Sequence, residues 1–147
     1  MHMISIKKHL YFMEIAKVTS TMSTCCRAQV WCVVVKDWMI LGTWYNWNAR
    51  WERHCNEWWC YMIDWHCTAI HSEENAIINC AYNWVSTKWA TIYCTHIPCD
   101  RCMRRLINAW IEEVYYLHEY RSDEKKFVPN NMISVKNFDS FTSFNKK

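Results

Sequence analysis

The sequence predicts a single α/β layered domain with a largely buried sheet, and three observations carry that expectation. A β-branched run, Val30–Val35, is followed by Lys36-Asp37-Trp38 and a second apolar stretch, Met39–Asn46, which reads as two strands joined by a tight turn. Strand and helix patterns then alternate from Ser72 to Tyr120. Composition agrees: 52% hydrophobic and 21% charged residues in 147 are globular values, and that length can bury one core.

Each element has its own signal. From His9 to Val18, Leu10, Met13 and Val18 mix with Tyr11, Phe12, Ile15 and Ala16 on a broad helical face. The stretch from Trp47 to about Ala69 is loop-like and rich in Cys, His and Trp. From Ser72 the pattern turns helical, with Ala76, Ile77, Cys80 and Ala81 on one face. Ala90–Ile97 is an expected strand punctuated by Pro98, Cys102–Glu113 a second amphipathic helix, and Val114–Tyr120 a further strand. Past Arg121 the chain becomes a polar tail with one short strand, Ile133–Phe138, which divides it into a domain over 1–123 and a tail over 124–147. No internal repeat is present.

Charge and hydropathy exclude several classes. A net charge of +3, spread over pairs such as Lys7-Lys8, Arg104-Arg105 and Lys146-Lys147, lacks the basic stripe of a nucleic-acid binder. No window approaches the ~18 apolar residues of a membrane span, and the first residues lack a secretory core and cleavage site, so a cytoplasmic protein is expected. Ten cysteines without an export signal argue for free thiols that serve as ligands, catalytic groups or small buried hydrophobes.

Two segments carry the chemistry, Ile70–Ala81 (IHSEENAIINCA) and Thr95–Leu106 (THIPCDRCMRRL). The first offers His71 and, two residues on, Glu73; the second offers Cys99 and Cys102 behind Pro98. Each opens a helix, where free backbone N–H groups and the helix dipole favour thiolate over thiol. A spacing of three puts both sulfurs on one helical face. One imidazole and two thiolates make a three-ligand zinc set with an open fourth position, and Glu73 sits too near His71 in the chain for a comfortable ligand, which frees it for proton transfer. A lone CxxC is as often a structural half-site or a redox pair; the combination with His71, Glu73 and Pro98 favours a zinc hydrolase.

These segments, with Ile107–Tyr120 (INAWIEEVYYLHEY) and Ser23–Trp47, resemble the deoxycytidylate (dCMP) deaminases, zinc enzymes of the cytidine deaminase-like fold. The resemblance runs from about Leu10 to Asp123. It implies a three-layer α/β/α domain with a mixed, about five-stranded sheet, and hydrolysis of dCMP to dUMP and ammonia. On that basis His71, Cys99 and Cys102 hold zinc, and Glu73 shuttles protons between water, the ring N3 and the departing amine. Asn46, in the segment similar to the family's G-Y-N-G loop, Asn75 and Tyr120 match positions near the nucleotide, and Arg27 or Arg50 is a candidate for the 5′-phosphate. Some members carry a second, structural zinc in the region that here contains Cys25 or Cys26, Cys55, Cys60, His66 and Cys67. The family often forms homo-oligomers regulated by dCTP and dTTP. Rival expectations are another zinc deaminase, acting on a nucleoside, a tRNA base or a pterin-like ring, and a zinc-stabilised binding module without turnover.

One compositional oddity touches the whole chain. There are 11 tryptophans and 1 glycine, where a usual ~7% would give roughly ten glycines. Trp38 follows Asp37 where a hairpin wants Asp-Gly, Trp84 follows Asn83 where a helix wants a glycine stop, and Ala109-Trp110-Ile111 resembles the family's A-G-I. The expectation is that these are glycines of the natural protein, written as tryptophan because UGA has both meanings in different codes. The alternative is a genuine aromatic cluster.

Overall fold

In the computed structural model, which describes residues 2–25, 29–55, 59–60, 62–64, 66–119 and 132–144, the chain opens with a long helix, α1 (His2–Ser20). His9, Phe12, Met13 and Ala16 are its buried positions, at the three- and four-residue spacing that one helical face requires. Strands β1 (Trp31–Lys36) and β2 (Met39–Tyr45) form the expected hairpin. A two-residue pair, β3 (Met62–Ile63) and β4 (His66–Cys67), gives the cysteine-rich loop a small hairpin of its own. Helix α2 (Ser72–Tyr82), strand β5 (Ala90–His96), helix α3 (Asp100–Asn108) and strand β6 (Ile111–His118) follow, then strand β7 (Ser134–Asn137) and helix α4 (Phe138–Phe144).

Five strands make one mixed sheet in the order β2-β1-β5-β6-β7. β1 is antiparallel to both neighbours, whereas β5, β6 and β7 run parallel. Side chains alternate between two cores, as strand geometry demands. Cys32, Val34, Ile92, Cys94, Val114 and Tyr116 pack with Ala76, Met103 and Leu106 of α2 and α3 on one face. Val33, Val35, Tyr93 and Tyr115 pack with Phe12, Met13 and Ala16 of α1 and Phe138 of α4 on the other. The result is the three-layer α/β/α arrangement with five strands. Among the described residues no helix is long and apolar enough to cross a membrane.

Several boundaries differ from the sequence reading, and α1 begins at His2 rather than His9. The helix expected over Cys102–Glu113 begins at Asp100 and stops at Asn108, and Ile111–Glu113 open β6 instead. Its stop is a left-handed residue, Trp110, with φ 59°; a glycine there would have signalled the end, and a tryptophan conceals it. At the other end the expected strand is present as β7, which pairs with β6 from Glu113↔Ser134 to Tyr116↔Asn137. α4 was not expected, and its buried Phe138 joins the α1 core. The boundary drawn between 123 and 124 lies outside the described residues.

Left-handed backbone marks five of the tryptophans; Trp31, Trp44, Trp47 and Trp59 have no positive φ. Trp38, Trp51, Trp84, Trp89 and Trp110 all have φ between 59° and 71°, a region bulky residues avoid. Asp37 and Trp38, at φ 50° and 62°, are the two central residues of the β1–β2 turn, where a type I′ hairpin requires positive φ at both. At the end of α2, Trp84 N–H donates to Ala81 O and Val85 N–H to Cys80 O. These are the two bonds of a Schellman stop, whose central residue is usually glycine. Trp51 and Trp89 are third residues of turns closed by Glu52 N–H to Ala49 O and Ala90 N–H to Thr87 O. Trp51 and Trp84 are 96% and 95% exposed, so little packing offsets their strain, whereas Trp38 packs on His9 and Phe12 and Trp89 meets Trp110 edge to face. Trp31 is fully buried at an ordinary φ, yet its indole Nε1 has no hydrogen-bond partner among the described residues. The chain's one glycine, Gly42, sits at no positive φ, and a Cβ there would make ordinary contacts with Cys80 and Asn79.

Left-handed geometry costs ~1–2 kcal/mol per residue with a side chain, so five such positions consume much of a stability of ~5–15 kcal/mol. Replacing Trp38, Trp51, Trp84, Trp89 and Trp110 together by glycine is therefore expected to raise the unfolding free energy by roughly several kcal/mol, read as a higher midpoint in urea melting. The gene is expected to carry UGA at these codons. An unchanged or lower midpoint, or UGG codons, would remove the glycine assignment.

Candidate active site

α2 and α3 both start at the same edge of the sheet, and each starts on a ligand. His71 is the N-cap of α2 (φ −65°, ψ 150°) and Cys99 the N-cap of α3 (φ −65°, ψ 163°). Neither side chain caps its own helix, a role that Ser, Thr, Asp or Asn would fill. They turn towards each other instead: His71 Nδ1 lies 3.7 Å from Cys99 Sγ and 3.4 Å from Cys102 Sγ. Glu74 of α2 meets Arg105 of α3 at 3.2 Å, a partly exposed ion pair that helps register the helices.

The donor set fits zinc. Tetrahedral coordination with bonds of about 2.3 Å to sulfur and 2.0–2.1 Å to nitrogen puts N and S roughly 3.6 Å apart. The two N···S distances above straddle that value, and all three ligand atoms lie within 4.8 Å of one another. Proton affinities point the same way. A hydrogen bond from Cys102 and the adjacent His71 hold Cys99 down at about 4. The Cys99 contact pushes His71 up to about 9, while Cys102, which donates to Cys99 and is buried, is pushed far up. A thiolate shared between two proton donors is the arrangement in which a soft cation replaces protons.

Glu73 occupies the first turn of α2 and is 2% exposed. Burial raises its pKa; His71 and the backbone N–H of Glu73 itself work in the opposite direction. Its Oε2 is buried with no hydrogen-bond partner among the described residues. A carboxylate oxygen left unpaired costs ~1–3 kcal/mol or more. Ser72 Oγ is likewise buried without a partner, while the Ser72 carbonyl accepts from Cys32 Sγ at 3.1 Å; nothing nearby uses the hydroxyl.

The other expected residues divide. Asn46 is buried, and its Oδ1 accepts the Ser23 hydroxyl at 2.6 Å and the Val30 N–H at 3.1 Å, which ties the β2 end to the segment after α1. Asn75 Nδ2 donates to Tyr45 O at 3.2 Å and Ile70 O at 3.3 Å, so it links α2 to the same strand end. Both hold the wall of the site together. Ser23 went unnoticed in the sequence because a lone serine has no signal. Arg50 is exposed. Arg27, Tyr120 and Cys26 lie outside the described residues, as does the side chain of His66.

A second cluster forms beside the β3–β4 hairpin. Cys25, Cys55, Cys60 and Cys67 present sulfurs within 4.8 Å of one another. Cys55–Cys60 is 3.7 Å, Cys60–Cys67 3.3 Å and Cys55–Cys67 4.0 Å, around the ~3.8 Å of a four-thiolate zinc tetrahedron. Burial, with the neighbouring thiols, raises the Cys60 and Cys67 pKa values. Cys32, Cys80 and Cys94 are buried core residues.

A mixed five-stranded sheet with a His-Cys-Cys centre and a buried glutamate at two helix starts defines a metal-dependent deaminase-type domain. The chain belongs to the family described as the cytidine and deoxycytidylate deaminase zinc-binding region, matched over residues 6–118. It is 39% identical over 113 residues to ComE operon protein 2 of Bacillus subtilis, covering 76% of this chain and 60% of that one. It is 33% identical to the deoxycytidylate deaminase of Saccharomyces cerevisiae, covering 90% of this chain and 45% of the relative. The chain thus spans about half the length of these curated relatives. Among solved structures it is similar to the dCMP deaminase of cyanophage S-TIM5 in complex with dCMP and dUMP, with a TM-score of 0.74, 26% identity, and coverage of 88% and 95%.

Two clusters predict two zinc ions per chain by elemental analysis. Cys55→Ser is expected to lower that to one and to lower the melting temperature, since a structural metal supplies folding free energy. One zinc in the unsubstituted protein would remove the second site.

Proposed function

We propose that the chain is a zinc-dependent deaminase that hydrolyses dCMP to dUMP and ammonia. The observation that carries this reading is the buried Glu73, whose Oε2 is unpartnered beside the point where His71, Cys99 and Cys102 converge. A binding module stabilised by zinc gains nothing from a buried carboxylate there, and pays for its desolvation. The substrate follows from the relatives named deoxycytidylate deaminase and from the dCMP and dUMP held by the cyanophage enzyme.

In this reading His71 Nδ1, Cys99 Sγ and Cys102 Sγ hold zinc, and Cys25, Cys55, Cys60 and Cys67 hold a structural one. Zinc at the first site supplies Lewis acidity, which makes water nucleophilic near neutral pH. Glu73 does the proton work. Its Oε2 accepts a proton from the attacking water and delivers it to the ring N3. It then takes the second proton of that water, now on the C4 hydroxyl, and passes it to the amine, which leaves C4 as ammonia while the oxygen becomes the new carbonyl. Burial raises the carboxyl towards the working pH, where a group gives and takes protons most efficiently. The Asn46 and Asn75 hydrogen bonds keep the β2 end against α2, which fixes the wall the nucleotide meets.

Glu73→Gln preserves shape and removes the shuttle. Zinc content is expected to stay at the unsubstituted level while ammonia release from dCMP falls by about 10²–10⁴-fold. Undiminished release would refute the role of Glu73. Parallel assays on deoxycytidine and CMP identify the preferred substrate.

A further inference from the structure

Away from the metal centre, the sheet carries a second concavity. Thr91 pairs in register with Glu113 and Tyr93 with Tyr115, on the face that α1 and α4 cover. These residues lie near the starts of β5 and β6, whereas Cys99 follows the end of β5 and α2 and α3 pack on the opposite face. Here the chain encloses a cavity of about 430 Å³, lined by Ser5 and His9 of α1, by Thr91, Glu113 and Tyr115 of the sheet, and by Phe141 of α4. Trp38 and Trp89 also line it; glycine at those turns would enlarge the space and leave the hydrogen-bonding groups in place. Small-molecule pockets run from ~300 to ~1,000 Å³, and ~150 Å³ is enough for benzene. Two fused rings fit.

The polar groups decide what kind of molecule. Burial raises the Tyr93 pKa, so its hydroxyl keeps its proton and donates to His9 Nδ1 at 2.6 Å. Burial also lowers the His9 pKa, with Glu113 working upward and Lys136 downward. The neutral ring therefore carries its proton on Nε2, which leaves an N–H for a ligand. Ser5 and Thr91 add hydroxyls that both donate and accept. Charge is balanced: Lys36 and Asp37 are chain neighbours of opposite sign, and Glu113 pairs with Lys136 at 2.6 Å. An ion of either sign would lose its hydration without gaining a free counter-charge. The walls are aromatic. Tyr93 stacks on Tyr115 at 5.3 Å, and Phe141 meets Tyr115 and His9 edge-on at 5.1 and 5.2 Å. Such surfaces take a flat ring in offset or edge-to-face contact.

We propose that this cavity binds an uncharged, planar heteroaromatic molecule of two fused rings that carries a carbonyl beside a ring N–H. The His9 N–H and the Ser5 and Thr91 hydroxyls are its hydrogen-bonding partners. Occupation needs neither the zinc centre nor turnover. The probes are isoquinolone, a neutral bicyclic lactam, and two ions of similar size, naphthoate and naphthylmethylammonium, titrated calorimetrically into zinc-loaded protein. Isoquinolone is expected to bind about ten-fold or more tightly than either ion, and to give nuclear Overhauser contacts with ring protons of Tyr115 and Phe141. His9→Phe is expected to weaken it about five-fold, and so is Ser5→Ala combined with Thr91→Val, which leaves the aromatic walls untouched. Absence of saturable isoquinolone binding, contacts made elsewhere than at those rings, or an ion bound as tightly would overturn the proposal. So would unchanged affinity in either variant.

Discussion

The site depends on two helices that begin at one edge of one sheet. His71 and Cys99 both stand at N-caps in extended conformation, so their side chains leave the helix axes before the first turn closes and can meet. The sheet sets the distance between those starts: α2 leads into β5 and α3 leads from β5 to β6, while Ala76, Met103 and Leu106 seat both helices on a common core. A ligand set drawn from two helix starts is held by packing against the sheet, so the centre inherits the rigidity of the core.

Burying Glu73 places a charge where the protein would otherwise exclude one. The surroundings include the fully buried Cys32 and Cys94, whose thiols are pushed well up by burial and by the nearby carboxylate. Opposing this are the helix N-terminus, which favours an anion, and the imidazole two residues away. A cation at the triad tips the balance further. Protein stability and metal binding are therefore linked through one side chain.

Backbone geometry sets a second constraint, independent of chemistry. Hairpin, helix stop and turn each demand a left-handed residue, and the chain meets that demand with Trp38, Trp84, Trp110, Trp51 and Trp89. Trp51 and Trp84 point into solvent, while Trp38, Trp89 and Trp110 find aromatic neighbours.

Local spacing made the centre readable from the sequence. HSE and PCxxC each fix their residues within one helical turn, so which atoms could meet a metal was legible before any fold was known. β1 was readable as a β-branched run and β2 as the apolar stretch after its turn, whereas the end of α3 was hidden by Trp110 and α4 by its polar, phenylalanine-spaced sequence. Long-range pairing carried the remainder. Only the folded sheet brings Cys25 to Cys55, Cys60 and Cys67, turns Asn46 inward onto Ser23 and Val30, and sets His96 beside His118. Sequence determined which groups are available and where helices start; tertiary structure decided which of them share a volume, because distance along a chain says nothing of distance across a sheet.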